Sequence, residues 1–174
     1  MSIVAAVTDG TRAWVGSDTQ TTRGDEVGFK GIRWRGAALG IAGEFFALQA
    51  FRHWLVKETP PSDPVALALH LRELTQLHRM GHWDEGTKIL EFTALYVLPT
   101  EIWHIASDFT VVRCVGGTVH AIGSGNEVTS GALWGAQRAG KRFKSLRASL
   151  KFGIEAAIAR EKGCGGDVII HRVR

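Results

Sequence analysis

The chain has 174 residues, about one domain's worth, of which 45% are hydrophobic and 22% charged, so a disordered or low-complexity protein is excluded. Its 21 Lys and Arg against 17 Asp and Glu leave a net charge of +4, too small and too scattered to define a nucleic-acid-binding face. No uncharged apolar run approaches the roughly 18 residues that a membrane-spanning helix needs.

The opening MSIVAAVTDG carries no basic segment, and Asp9 interrupts its apolar run, so it does not read as a signal peptide. Two cysteines, Cys114 and Cys164, are too few for a disulfide framework, and the expected compartment is the cytoplasm. Residues 3–7 (IVAAV) and 13–17 (AWVGS) flank an Asp-Gly turn signal and predict a β-hairpin that ties the N-terminus into a sheet. Residues 18–25 are polar and loop-like. Residues 27–34 and 37–42 predict a second hairpin turned at Arg35-Gly36, and Gly43 breaks its second strand. Apolar spacing over 44–57 predicts a helix. After Pro60 and Pro61, Asp63 can cap a second helix with Pro64 at its first position, running to about Met80 with Leu67, Leu71, Leu74 and Leu77 on one stripe. Residues 81–86 read as a loop. Short strands are expected at 91–98, 102–106, 110–115 and 118–122, then a break at Gly123-Ser124-Gly125. Helices at about 126–139 and 146–161, a loop at 162–166 and a strand at 167–173 complete the chain. Strands, two helices, strands, two helices and a strand, in that order, suggest an α+β layer architecture of two sheets covered by paired helices, with one domain over 1–174.

The chemistry begins at the second residue. Serine is small enough that removal of the initiator methionine is expected, which would expose Ser2 with a free α-amine. Such an amine has a pKa near 8 and can take the proton from its own residue's hydroxyl, so nucleophile and base are one residue. Asp18 ends the second strand and stands near the start of the first. Lys30 lies in the next strand region, where a cation would hold the amine pKa down and the carboxylate would orient it. Gly43 ends an apolar strand ahead of a helix, where its N–H can point at a developing oxyanion.

These segments resemble the proteasome β-subunit family of N-terminal-nucleophile hydrolases, and most closely the HslV-type bacterial peptidase and its small phage or prophage relatives. The resemblance runs from SIVAAVTDG through GSDTQTT, LGIAGE and HAIGSGNE to CGGDVIIHRV, and is lowest over about 59–88. It implies a four-layer αββα sandwich. It also implies that Ser2 stands at the nucleophile position, Asp18 and Lys30 at the aspartate and lysine (with Arg33 the alternative to Lys30), Gly43 at the oxyanion glycine, and Ser124 at the serine beside the N-terminal amine. In the last loop, Glu161 and Cys164 stand where the family has aspartate and serine, ahead of Gly165. Counting back from Asp18 places Ser2 in the nucleophile slot, whereas counting back from the Asp9-Gly10 turn places Met1 there. The resemblance implies a peptidase acting on polypeptides inside a homo-oligomeric ring, without cofactor or metal, and for HslV-type members an ATP-driven unfoldase partner. The alternative is a catalytically inactive subunit that keeps the fold and the ring.

Other residues read more plainly. His78 and His82 have the i,i+4 spacing of a metal pair but no evident third ligand, so a solvated helix end is expected. Cys164 reads as a small residue in a tight loop. The basic segment 141–147 reads as a solvated loop. The six tryptophans are scattered as packing or subunit contacts would be, and neither nucleic acid nor membrane is expected as a partner.

Overall fold

The computed structural model describes residues 2–20, 28–78, 82–84, 87–89 and 91–174, with the side chains of 45, 82–84 and 87–89 excluded. The chain begins with β1 (Val4–Thr8) and β2 (Ala13–Asp18), followed by β3 (Gly31–Trp34) and β4 (Ala37–Gly43). Two helices follow, α1 (Phe45–Leu55) and α2 (Pro64–Leu77), the second capped by the Asp63 side chain, which accepts from the Val65 amide at 3.0 Å. Then come β5 (His82–Asp84), β6 (Thr87–Ile89), β7 (Phe92–Val97), β8 (Ile102–Ile105), β9 (Val111–Arg113) and β10 (His120–Ile122). Helices α3 (Asn126–Arg138) and α4 (Leu146–Arg160) and strand β11 (Val168–Val173) complete the order. Of the loop expected at 81–86, His82–Asp84 instead form β5, which pairs antiparallel with β6, and the rest of that loop lies outside the described residues. Strand β3 starts at Gly31, later than expected, while residue 27 of that expectation lies outside the described residues. The Lys30 amide is taken by the Ser17 hydroxyl, and the chain bends there before pairing begins.

The architecture is the expected αββα sandwich. One sheet has the order β10-β1-β2-β11 and the other β3-β4-β7-β8-β9. Alternation along β1 shows how the layers arise, since successive side chains of a strand face opposite sides. Val4 and Ala6 pack between the sheets against Ala38, Leu95 and Val97, while Ile3, Ala5 and Val7 pack against Leu150, Ile154 and Ala157 of α4. On the far side of the second sheet, Phe51 and Leu55 of α1 and Leu67 and Leu71 of α2 cover Leu39, Ile41 and Tyr96. With apolar material on both of its faces, β1 is wholly buried, which fixes the position of Ser2 just ahead of it. No described helix is long and apolar enough to cross a membrane.

Candidate active site

Ser2 sits at the open end of the β1–β2 hairpin, and the surrounding backbone holds it firmly. Its carbonyl accepts from the Gly125 amide at 3.4 Å and the Ser124 hydroxyl at 3.5 Å. The next residue, Ile3, donates its amide to Asp18 Oδ1 at 3.0 Å, and its carbonyl accepts from the Asp18 amide at 3.3 Å. Ser2 is only 5% exposed, yet its hydroxyl makes no hydrogen bond among the described residues. Met1 lies outside the described residues, so the choice between Met1 and Ser2 as the first residue of the site rests on Ser2's surroundings.

Asp18 is fully buried and gathers three donors. Lys30 Nζ lies 2.7 Å from Oδ1, the same oxygen that accepts from Ile3, and the Gly165 amide lies 3.1 Å from Oδ2. Lys30 also donates to the Gln20 carbonyl. Burial pushes the Lys30 ammonium below its ordinary pKa, and Asp18 opposes the shift by hydrogen bond and charge. Arg33 is elsewhere. It is exposed, and its guanidinium lies 3.1 Å from His171 Nδ1, so Lys30 and not Arg33 joins Asp18. The last loop closes the other side. Cys164 Sγ lies 4.0 Å from Ser124 Oγ, and burial, with Asp18 nearby, pushes the thiol up to about 11. Glu161 ends α4 and shapes this loop, its carbonyl accepting from the Cys164 amide at 2.9 Å and its carboxylate from the Gly163 amide at 3.2 Å.

A cleft of about 560 Å³ opens over Ser2 and is lined also by Ala42, Gly43, Glu44, Glu91, Phe92, Thr93, Ser107, Gly123 and Ser124. Gly43 has φ +131°, which side chains rarely tolerate, and a Cβ there would stand 2.6 Å from Phe92 Cα. The strand can thus end in a sharp departure into α1 beside Ser2 only because this residue is glycine. The expected residues Ser2, Gly43 and Ser124 share the cleft, Asp18 and Lys30 lie beneath it, and Cys164 and Gly165 touch Ser124 and Asp18. Glu161 does not reach these groups and acts on the loop. Three participants were not singled out from sequence: Ser17 and Gln20, which receive Lys30, and Thr19, whose hydroxyl accepts from the Asp167 amide at 2.8 Å. All three lie in or beside the GSDTQTT segment, so their signal was position next to Asp18. His78 stacks on Trp54 with ring centroids 4.2 Å apart, and the His82 side chain lies outside the described residues. Among the described residues no cluster of three or more His, Cys, Asp or Glu could hold a metal ion.

Solved structures share this architecture. BPH of Thiobacillus denitrificans, a bacterial proteasome homologue solved in complex with epoxomicin, matches with a TM-score of 0.78 and 22% identity over 98% of this chain and 97% of that one. A second structure of the same BPH matches with a TM-score of 0.76 and 21% identity, covering 98% and 96%. Eukaryotic HslV from Trypanosoma brucei matches with a TM-score of 0.65 and 14% identity, covering 98% of each chain. No family model matches the chain, and no curated protein matches it in sequence. The chain therefore has the proteasome β-like N-terminal-nucleophile hydrolase fold.

Proposed function

We propose that this protein is an N-terminal-nucleophile peptidase with Ser2 as its nucleophile. The observation that carries the reading is the buried Lys30–Asp18 pair, bonded to the Ile3 amide directly behind a serine that lines the cleft and whose hydroxyl makes no hydrogen bond among the described residues. Removal of Met1 frees the Ser2 α-amine, which takes the hydroxyl proton as the oxygen attacks the scissile carbonyl. The Lys30 charge disfavours protonation of that amine and keeps it basic near neutral pH. The Gly43 N–H stabilises the oxyanion. The amine then passes its proton to the leaving amine of the product peptide, and water, activated by the same amine, releases the acyl group from Ser2 Oγ. Ser124, held against the Ser2 carbonyl, fixes the terminal residue, with Cys164, Gly165 and the Glu161 turn as its support. The chemistry uses no cofactor. Substrates are polypeptides, and we place the site inside a homo-oligomeric ring, with an ATP-driven unfoldase as the partner that would feed it.

The test has two steps. Intact mass of the purified protein is expected to lack one methionine, and the trimmed protein is expected to hydrolyse fluorogenic peptides. Ser2→Ala should abolish hydrolysis while leaving the melting temperature nearly unchanged, because the hydroxyl it deletes makes no hydrogen bond among the described residues and its removal leaves no described partner unsatisfied. Epoxomicin, with which BPH was solved, is expected to block the activity. A trimmed, folded protein that hydrolyses nothing is the inactive ring subunit instead, and full activity in Ser2→Ala removes the serine from the mechanism.

A further inference from the structure

Lys30 reaches Asp18 from a turn that is held by residues far from it in sequence. The Gly31 amide donates to the Phe29 carbonyl at 3.0 Å, which closes a three-residue turn with Lys30 at its centre. The Lys30 amide donates to Ser17 Oγ at 3.0 Å, and the Lys30 carbonyl accepts from the Ile41 amide at 2.9 Å. The two flanking carbonyls are taken by a helix of the outer layer. Arg52, on α1, donates from Nε to the Gly31 carbonyl at 3.0 Å and from Nη2 to the Phe29 carbonyl. One guanidinium thus spans the turn with an acceptor on each side of Lys30, a use of the paired donors that the planar fork of arginine supplies and an ammonium does not. Arg12 and Arg113 are exposed and face carboxylates, whereas Arg52 is half-buried and makes no ion pair among the described residues. Burial pushes the Arg52 pKa down, and its described acceptors are main-chain carbonyls alone.

We propose that Arg52 is a positioning residue for the Ser2 site: its guanidinium holds the turn that aims Lys30 at Asp18, and so keeps the ammonium in place behind Ser2. This role depends on the peptidase reading only through Lys30, since the hydrogen bonds of Arg52 are separate from those of the cleft. Without Arg52, the Phe29 carbonyl keeps only its bond within the turn, and the Gly31 carbonyl loses a charged donor, which bonds about twice as strongly as a neutral one. The turn is then free to relax, and Lys30 Nζ moves off Asp18 Oδ1. The titratable groups acting on the Lys30 ammonium are Asp18 on β2 and Cys164 in the last loop, and neither bonds to Arg52 among the described residues. An effect of Arg52 on the Ser2 α-amine therefore runs through the placement of Lys30.

The placement can be read without turnover. The protein is trimmed with methionine aminopeptidase, and the Ser2 α-amine is titrated with periodate, which cleaves the amino alcohol of an N-terminal serine through the unprotonated amine. The mass of the N-terminal peptide gives the rate at each pH. Arg52→Met should raise the pH at which the amine becomes reactive, and Arg52→Lys, which keeps the charge but not the fork, should raise it by less. In a Lys30→Met background Arg52→Met should shift the titration no further, because the residue it acts through is gone. If circular dichroism finds Arg52→Met unfolded, Arg52→Lys decides. Where the trimmed parent hydrolyses peptides, Arg52→Met should lower kcat about tenfold near neutral pH, change KM by less than about twofold, and move the acid limb of the kcat–pH profile upward. A titration in the folded Arg52 variants that matches the parent's, or a shift of equal size in the Lys30→Met background, overturns the positioning role. A trimmed parent that hydrolyses nothing removes the peptidase and leaves the titration to decide Arg52, and a hydrolysing parent with an unmoved titration does the reverse.

Discussion

Asp18 ties the strand end, the ammonium and the last loop to one fully buried carboxylate, so the effect of changing Lys30 can be worked out from its neighbours. Lys30→Met is expected to lower kcat far more than it weakens peptide binding. Without the ammonium the α-amine pKa rises, so the acid limb of the kcat–pH profile moves to higher pH. Leaving Asp18 without its partner costs about 3–5 kcal/mol, so the profile is recorded at a temperature where circular dichroism finds the variant folded. Arg33→Met should keep the parent profile, because that guanidinium faces His171. A limb that stays in place in Lys30→Met, or that moves in Arg33→Met, would reject the assignment. The Cys164 thiol gives a second pH signature. Its folded pKa of about 11 lies above the unfolded value, so its contribution to stability is complete below about pH 9 and is lost as pH rises toward 11. A shift of that size corresponds to about 2–3 kcal/mol. Lys30, shifted downward, acts with the opposite sign just below its ordinary pKa, so the measurement is a difference. Urea unfolding at about pH 8 and about pH 10.5 should cost the parent about 1–2 kcal/mol more stability than it costs Cys164→Ala. Equal losses in the two proteins would mean that the thiol is not held protonated by burial.

Most of the elements were legible because burial follows simple periods. The apolar run IVAAV, the four-residue spacing of Leu67 and Leu71, and the Asp63–Pro64 cap each reported a local arrangement that the packed layers then kept. What stayed hidden depends on nonlocal geometry. The bend at Phe29–Lys30 arises because Ser17, thirteen residues earlier, captures the Lys30 amide, and nothing in the local pattern announces that. For the same reason the candidate site was legible as a set of residues but not as a network: Asp18 and Lys30 could be paired, whereas the roles of Ser17, Gln20 and Thr19 follow from the bend. The β5–β6 hairpin was missed because three-residue strands carry too short a period to read. Gly125 joins element to site and can be tested directly. A Cβ there would stand 2.8 Å from Ala157 Cβ, 2.9 Å from Cys164 Sγ and 3.0 Å from Ile3 Cβ, so α3, α4 and β1 all meet at the missing side chain. Gly125→Ala is expected to force these apart at a cost of about 1–3 kcal/mol, lowering the melting temperature and, by displacing Ser124, the rate. Gly131→Ala, within α3 and with nothing in reach of its Cβ, should leave the melting temperature unchanged or raise it slightly. The two variants behaving alike would mean that close packing at Gly125 is not what the glycine provides.

At the scale of the whole molecule, the surface over α1 and α2 decides whether the chain stands alone. Phe45, Phe46, Phe51, Trp54 and Leu55 are more large apolar residues than one helix stripe requires. Phe51 and Leu55 are in fact core residues, Trp54 is half-buried against His78, and the Phe45 side chain lies outside the described residues. The exposed apolar surface is redistributed: Phe46 is 60% exposed, Val56 57%, and on α2 Leu69 is 51% and Leu77 75%. Val65, Leu69 and Leu77 recur at multiples of four and make a second, outward stripe opposite the one that meets the sheet. Val56 and Leu77 flank the Trp54–His78 stack, where the ends of the two helices meet. Single exposed apolar residues are ordinary, but a repeated stripe with large side chains beside it is the composition of an interface core. We therefore expect self-association through the α1–α2 layer. Sedimentation velocity over micromolar concentrations should find species heavier than the 18.9 kDa monomer. Leu69→Glu with Leu77→Glu should shift the distribution toward monomer without lowering the melting temperature of the isolated chain, since neither side chain is in the core. If hydrolysis depends on a closed chamber, the same double variant should also cleave folded-protein loops and short peptides with less discrimination between them. A parent that sediments only as monomer, or a double variant that assembles as the parent does, would move the interface away from these helices.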